Sequence, residues 1–283
     1  MNVLTFDIED WFHILDNDAC KTEKQWHAFE PRLEQNMNKI FQLLEDNKQD
    51  ATFFVIGWVA RKYPHIVKKI SELGYEIATH SDMHQLAYEF DKKTFKEDLE
   101  RSLGSIEALT GKKVRAYRAP GFSIIDENLW AFEEIVKQGI EIDCSIFPAK
   151  RAHGGLESFG HAQPAWIEYQ NVTLKEFPIN LYPIAGKNII FSGGGYFRLL
   201  PYSMISYFMK RSEYVMTYLH PRDFDPEQPM MEGLNMVRKF KSYYGLGGAL
   251  KKLERLIQEY DFISIDEADK MIDWDISAKV KLG

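Results

Sequence analysis

An irregular α/β barrel of parallel strands is the fold class this sequence predicts, and three observations predict it. Short apolar runs alternate with amphipathic stretches over most of the chain, the pattern of strands joined by crossover helices. The chain has 283 residues, 45% of them hydrophobic, enough to bury a substantial core in one large domain or two modest ones. Several apolar runs end in Asp, His or Arg, and parallel barrels carry their chemistry at the C-terminal ends of strands.

The first strand is expected at Val3–Phe6, followed by three carboxylates, Asp7, Glu9 and Asp10, beside Trp11 and Phe12. Next comes a helix with Leu33, Met37, Ile40, Phe41 and Leu44 on one face, at the 3.6-residue period of a core-facing stripe. Thr52–Ile56 reads as a strand, a helix over 61–73 is announced by Pro64 and ended by Gly74, and Tyr75–Ala78 is the next strand. A helix from about Lys92 to Leu109 turns Phe95, Leu99, Leu103, Ile106 and Leu109 inward and stops at Gly111. Later strands are expected at Val114–Ala119, Ile140–Ile142, Thr173–Phe177, Asn188–Phe191, Tyr214–Leu219 and Phe262–Ile265, with a helix at about Leu250–Tyr260. Residues 149–171, rich in Gly, Ala and His and without a period, read as a long loop over the barrel mouth. No internal repeat or low-complexity linker interrupts the chain, so a single domain over 1–283 is expected.

Composition narrows the function. A net charge of −7 argues against a nucleic-acid partner, whose phosphates select Lys and Arg. No apolar stretch approaches the roughly 20 residues of a membrane span, and Asp7 interrupts the opening run, so a cytoplasmic location is expected. Cys20 and Cys144 are too few for a disulfide framework or a thiolate zinc cluster. A soluble enzyme fits best, and its oligomeric state is left open.

The candidate chemistry lies at strand ends. In "IATHSDMHQ" (77–85), His80 and His84 are four apart, so on one helical turn both imidazoles project from the same face and reach one ion at about 2.0–2.1 Å. Alone, such a pair is more often a solvated turn. "YRAPGFS" (117–123) ends a strand with Arg118, and "VMTYLHPRDF" (215–224) ends another with His220. If one parallel barrel holds all four strand ends, their Asp, His, Arg and His side chains crowd one cleft.

These stretches, in this order, resemble the polysaccharide deacetylase (NodB-homology) family of metal-dependent carbohydrate de-N-acetylases. "TFDIED" is similar to the family's first motif, "ATFFVIG" to its second strand, and "HSDMH" to its His-Ser-x-x-His metal motif. "RAPGFS" is similar to the Arg-x-Pro motif, "DCSIFP" to the Asp-Ser-Ser stretch and "YLH" to the late histidine motif. The likeness covers about 1–225, leaving 226–283 as a helix and strand extension. "GGGYFRLLP" and "LHPRDFDPEQP" resemble the subfamily of exopolysaccharide loci.

The resemblance implies an irregular NodB-type barrel and hydrolysis of an acetamide on an N-acetylated saccharide. Asp7 would be the base toward the attacking water, and His220 the acid toward the leaving amine. His80 and His84 would hold a divalent ion, zinc by implication, with one carboxylate from Glu9 or Asp10. The first motif departs from the adjacent aspartates of many members, since Ile8 follows Asp7; strand alternation puts residues 7 and 9 on one side and favours Glu9. Arg118 would orient Asp7, and the Gly121 N–H would help hold the oxyanion.

Glu176, at a strand end, is a candidate to tune His220, with Asp143 as the competing partner. Gly193–Gly195 lacks the Lys-Ser/Thr of a phosphate loop and reads as a tight turn shaping the cleft with Tyr196 and Phe197. Trp11, Phe122, Tyr196 and Phe224 are candidates to stack on a sugar, and His153 is the best remaining candidate for an extra ligand. Two other readings stand beside the deacetylase: an allantoinase-like small-molecule amidohydrolase, and a catalytically silent glycan-binding protein.

Overall fold

The computed structural model describes residues 1–15, 17–151, 153–184 and 186–283. It contains two compact units, each drawn from two separate stretches: Met1–Ala51 with Tyr182–Ile263, and Thr52–Leu181 with Ser264–Gly283.

In the first unit, the opening strand is Thr5–Ile8, buried throughout, so Asp7 lies inside it rather than beyond its end. A shorter strand, Asn2–Val3, pairs in parallel with Val215–Met216. The ladder runs on without a break. Thr217 N–H donates to Val3 O at 3.0 Å, Leu219 N–H to Thr5 O at 3.1 Å and Asp7 N–H to Leu219 O at 2.8 Å. Thr5 and Thr217 bond each other's backbone through their hydroxyls, which fixes the register inside the core. The helix Leu33–Asn47 buries the expected stripe and ends at Lys48 in the left-handed region, φ 52°. Leu246–Glu259 forms the late helix. The strand expected at Asn188–Phe191 is one arm of an antiparallel hairpin, Tyr182–Ile184 with Lys187–Ile189. Of Phe262–Ile265 only Ile263 pairs, with Val3, because Ser264 already caps the helix Ile265–Met271.

The second unit holds a sheet in the order Lys279–Leu282, Ala165–Tyr169, Val172–Glu176, Ile142–Asp143, Ala116–Tyr117, Glu76–Thr79, Thr52–Val55. Its pairs are parallel except Ala165–Tyr169 against Val172–Glu176. Residues 149–171 are therefore not all loop: Ala165 and Ile167 face inward in an alternating strand, and Gln170, at φ 50°, turns the chain back. The C-terminal strand escaped the sequence reading because its charged alternation, KVKL, is that of an edge. The helix expected over 61–73 is two, Gly57–Lys62 and Pro64–Glu72. Proline has no N–H to continue the first and a φ suited to begin the second. Lys92–Thr110 matches expectation and ends at Gly111, φ 66°.

Candidate active site

In the second unit, His80 directly follows the strand Glu76–Thr79. No helical turn carries the two histidines, as the spacing had suggested. Instead Ser81 (φ 70°) and His84 (φ 53°) adopt left-handed backbone and fold the segment back, bringing the imidazole centroids to 5.3 Å at 51°. Two non-glycine residues in that region are strained, and persist only where the surroundings impose them. Those surroundings are visible. Asp98, on Lys92–Thr110, accepts from Ser81 Oγ at 2.8 Å, Asp82 N–H at 2.9 Å and Met83 N–H at 3.3 Å. Burial, opposed by these bonds, pushes the Asp98 carboxyl up to about 6. Arg61 and Arg101 pair with Asp82. From "ATFFVIG", Gly57 N–H donates to Ser81 O at 3.0 Å, and a Cβ there would lie 2.2 Å from Asp82 Oδ1. Asp98, which the motif reading missed, and Gly57, which closes the motif ATFFVIG, thus support the histidine segment.

The tautomer of His80 follows from its partner. Its Nδ1 lies 2.7 Å from Arg118 O, which can only accept, so Nδ1 carries the proton and Nε2 the lone pair. That is how a metal-binding imidazole is usually prepared. With His84 beside it, the donor chemistry fits a divalent ion such as zinc. Among the described residues, no group of three or more His, Cys, Asp or Glu is arranged to hold one, so of the four expected ligands this pair is what the geometry supports directly.

In the first unit, the parallel ladder between the opening strand and 215–219 sets Asp7 and Glu9 beside His220. His220 Nε2 is 3.1 Å from Glu9 Oε1 and 3.8 Å from Asp7 Oδ2. Its Nδ1 is 3.0 Å from Asp223 Oδ2, which also accepts the His220 N–H at 2.9 Å. Burial alone would lower the His220 pKa. The Asp223 hydrogen bond and the charges of Glu9, Asp223 and Asp7 outweigh it and raise it to about 9. Burial pushes Glu9 up to about 8, against the pull of His220 and Arg222. Asp223 is also buried, yet Arg198, whose Nε lies 2.9 Å from Asp223 Oδ1, and His220 hold it well below the usual carboxylate range.

Asp223 corrects the expected partner of His220, which is neither Glu176 nor Asp143. Those two face each other across the parallel pair Ile142–Asp143 and Val172–Glu176. Asp143 accepts from Ser145 Oγ at 2.7 Å and from Ser145 N–H at 3.1 Å, and Glu176 accepts from Ile146 N–H at 3.1 Å. Burial and then Asp143 raise Glu176 well above the usual carboxylate range, and burial raises Asp143 as well. The Gly193–Gly195 run also acts differently from a cleft-shaping turn. A Cβ on Gly193 would lie 2.3 Å from Tyr218 O, so glycine lets the helix Gly194–Leu199 start against the strand and deliver Arg198 to Asp223. The His220–Asp223 spacing, across the turn that Pro221 begins, was the signal available in the sequence.

Asp10, the other carboxylate proposed as a ligand, caps a helix. Its Oδ1 accepts from Trp11 N–H at 2.8 Å, and its oxygens together take the N–H groups of Arg32 and Leu33, closing the start of Leu33–Asn47. These three backbone donors give Asp10 a structural duty that Glu9, beside His220, does not share. Arg118 is buried with its guanidinium 4.0 Å from the centroid of the Phe54 ring, and its Nε donates to Cys144 O at 3.3 Å. Gly121 has φ 63° in the turn Pro120–Phe122. Phe122 is buried against Phe147 at 5.4 Å and Trp11 and Phe224 are buried too, so these three are core rather than sugar platforms. Tyr196 remains exposed on Gly194–Leu199.

A family model described as polysaccharide deacetylase matches residues 3–142, and one described as a domain of unknown function (DUF3473) matches 144–270. Peptidoglycan-N-acetylglucosamine deacetylase of Bacillus cereus is 29% identical over 97 residues, covering 34% of this chain and 35% of that protein. Chitin deacetylase 1 of Saccharomyces cerevisiae is 34% identical over 96 residues, 34% of this chain and 31% of that one. The chain thus spans about a third of the length of these curated relatives. A crystal structure from Mycobacterium smegmatis carrying the family name polysaccharide deacetylase superposes with a TM-score of 0.69 at 16% identity, over 100% of this chain and 93% of its own. A CE4 family pseudoenzyme from Bacillus anthracis gives 0.51 at 14% identity, over 94% of this chain and 64% of its own. At such identities the likeness is one of fold, the NodB-type α/β barrel expected from the sequence. Residues 3–142 are thus a polysaccharide deacetylase (NodB-homology) domain.

Proposed function

We propose that the chain hydrolyses the acetamide of an N-acetylated saccharide, with the help of a divalent metal ion, during synthesis of a surface or extracellular polysaccharide. The family match and two relatives named for peptidoglycan and chitin deacetylation support the reaction class. One observation carries the metal-assisted reading: the His80–His84 pair, with the His80 proton fixed on Nδ1 by Arg118 O.

His80 and His84 would hold the ion through ring nitrogens, with one carboxylate from Glu9 or Asp10, of which strand alternation favours Glu9. Zinc, when bound, would polarise the acetamide carbonyl and lower the pKa of water from 15.7 toward about 7. Asp7 takes the proton of the attacking water. The Gly121 N–H is assigned to the developing oxyanion, where one donor contributes roughly 3 kcal/mol. Collapse must expel an amine, which leaves readily only once protonated. His220, held protonated by Asp223 and the neighbouring carboxylates, gives its Nε2 proton to that nitrogen. Asp223 stays ionised beside Arg198 and keeps the ring in its productive orientation.

Acetate release from chitin oligosaccharides by the purified chain, with metal content measured in parallel, tests this. The expected result is turnover that stops on chelation, returns with Zn²⁺, and is lost with the bound metal in His80→Ala. Turnover that persists in a metal-free protein would refute the role of the ion. Hydrolysis of allantoin but of no acetylated sugar would favour the small-molecule amidohydrolase.

A further inference from the structure

The helix Met236–Tyr243, in the first unit, is built inside out. An ordinary surface helix turns an apolar stripe to the core and its charges to water. Here no residue of the helix is buried. Met236, Val237, Phe240 and the following Tyr244 are 81, 63, 51 and 51% exposed, with Met230 nearby in sequence at 60%. The contacts that hold the helix down are polar. Arg238 Nη2 donates to Leu15 O at 2.7 Å, and Tyr243 OH accepts from Met231 N–H at 2.7 Å. Arg198 reaches Ser242 O at 3.0 Å, Tyr244 O at 2.8 Å and Lys241 O at 2.8 Å. Asn235 caps the first turn through Arg238 N–H.

At 100° per residue, Met236, Phe240, Tyr244 and Val237 share one face, with Lys239 on one flank and Lys241 on the other. Phe240 and Tyr244 lie 4.7 Å apart, so the apolar groups form one surface rather than scattered points. Charge identifies what covers it. Residues 233–253 carry five cations and no acid in a chain whose net charge is −7; Arg238 and Lys252 donate to backbone carbonyls of the protein, which leaves Lys239, Lys241 and Lys251 to meet a partner. Aliphatic and aromatic side chains between flanking lysines match the acyl–headgroup boundary of an anionic bilayer: the apolar face enters and the lysines reach phosphate. A soluble saccharide offers no counterpart for exposed methionine and valine.

We propose that Met236–Tyr244 is a membrane-surface docking face, which seats the protein peripherally on bilayers rich in anionic phospholipid. It does not span the bilayer, since no helix of the described residues is long and apolar enough to do so. The proposal is independent of the deacetylase reading, because vesicle binding is measured without substrate or metal.

The test is co-sedimentation of the purified full chain with vesicles of phosphatidylglycerol and phosphatidylethanolamine, against phosphatidylcholine alone. Binding to the anionic vesicles at least about tenfold tighter, and weakened by salt, is expected. Met236→Asp with Phe240→Asp should abolish it, and Lys239→Glu with Lys241→Glu should weaken it about tenfold or more. All four positions lie outside the core, and circular dichroism checks that the variants fold. No binding to anionic vesicles, or equal binding by wild type and both variants, overturns the proposal. So does a dimer in light scattering that Met236→Asp with Phe240→Asp dissociates, which would make the face a contact between two copies.

Discussion

His220 and Asp223 close on each other twice: Asp223 Oδ2 takes the His220 backbone N–H at 2.9 Å and stands 3.0 Å from Nδ1 of the same residue. One carboxylate thereby fixes the backbone, the ring and the proton of the proposed acid. Asp223→Asn keeps the shape and removes the charge. It should lower kcat for acetate release about a hundredfold or more, with a smaller change in KM. The acid works protonated, so activity falls as pH rises through the raised pKa of about 9, and the variant should bring that alkaline fall to lower pH. A pH–rate profile of both proteins decides; an unmoved alkaline limb would sink the assignment.

Asp10 and Glu9 are neighbours with separable duties. Asp10→Ala strips the cap from Leu33–Asn47 and should cost about 1–2 kcal/mol in urea denaturation while leaving bound metal unchanged. Glu9→Gln should do the reverse, keeping the fold and losing metal. Equal metal loss in both would return Asp10 to the candidate ligands.

Asp98 tests whether the histidine loop is held from behind. Asp98→Ala leaves Ser81 Oγ and two backbone N–H groups without their acceptor, an expected loss of about 2–4 kcal/mol. Its pH signature has a definite sign. The folded pKa, raised to about 6, exceeds that of the unfolded chain. Its contribution is therefore complete below the unfolded pKa near 3.9 and is lost as pH rises through about 6. Asp98→Asn should flatten stability over that window. Chemical denaturation at a series of pH values reads the difference.

Gly57→Ala places a methyl 2.2 Å from Asp82 Oδ1 and 2.8 Å from Ser102 Cα. Destabilisation of about 1–3 kcal/mol is expected, together with weaker metal binding as the loop carrying His80 and His84 shifts. Calorimetric titration with Zn²⁺ would show it. Unchanged affinity would mean that the strand and Asp98 suffice to hold the loop.

Periodicity was enough for Leu33–Asn47 and Lys92–Thr110, because a one-sided apolar stripe has a single way to be buried. It failed for Ala165–Tyr169 and Lys279–Leu282. Lys279–Leu282 lies at the edge of its sheet, buries little and forms only because Ala165–Tyr169 pairs with it, and Ala165–Tyr169 is short and held by strands on both sides.

The sequence by itself determined the residue types and their order: a carboxylate motif, a histidine pair, an arginine turn and a late histidine, enough to identify the family. Only the tertiary structure decided which carboxylate does what. Asp10 spends its oxygens on a helix start, Glu176 faces Asp143 across a strand pair, and Asp223 takes His220. The reason is physical. A carboxylate's role is set by the donors that reach it once water is gone, and those donors come from segments as distant in sequence as Arg198 from Asp223 or Leu33 from Asp10.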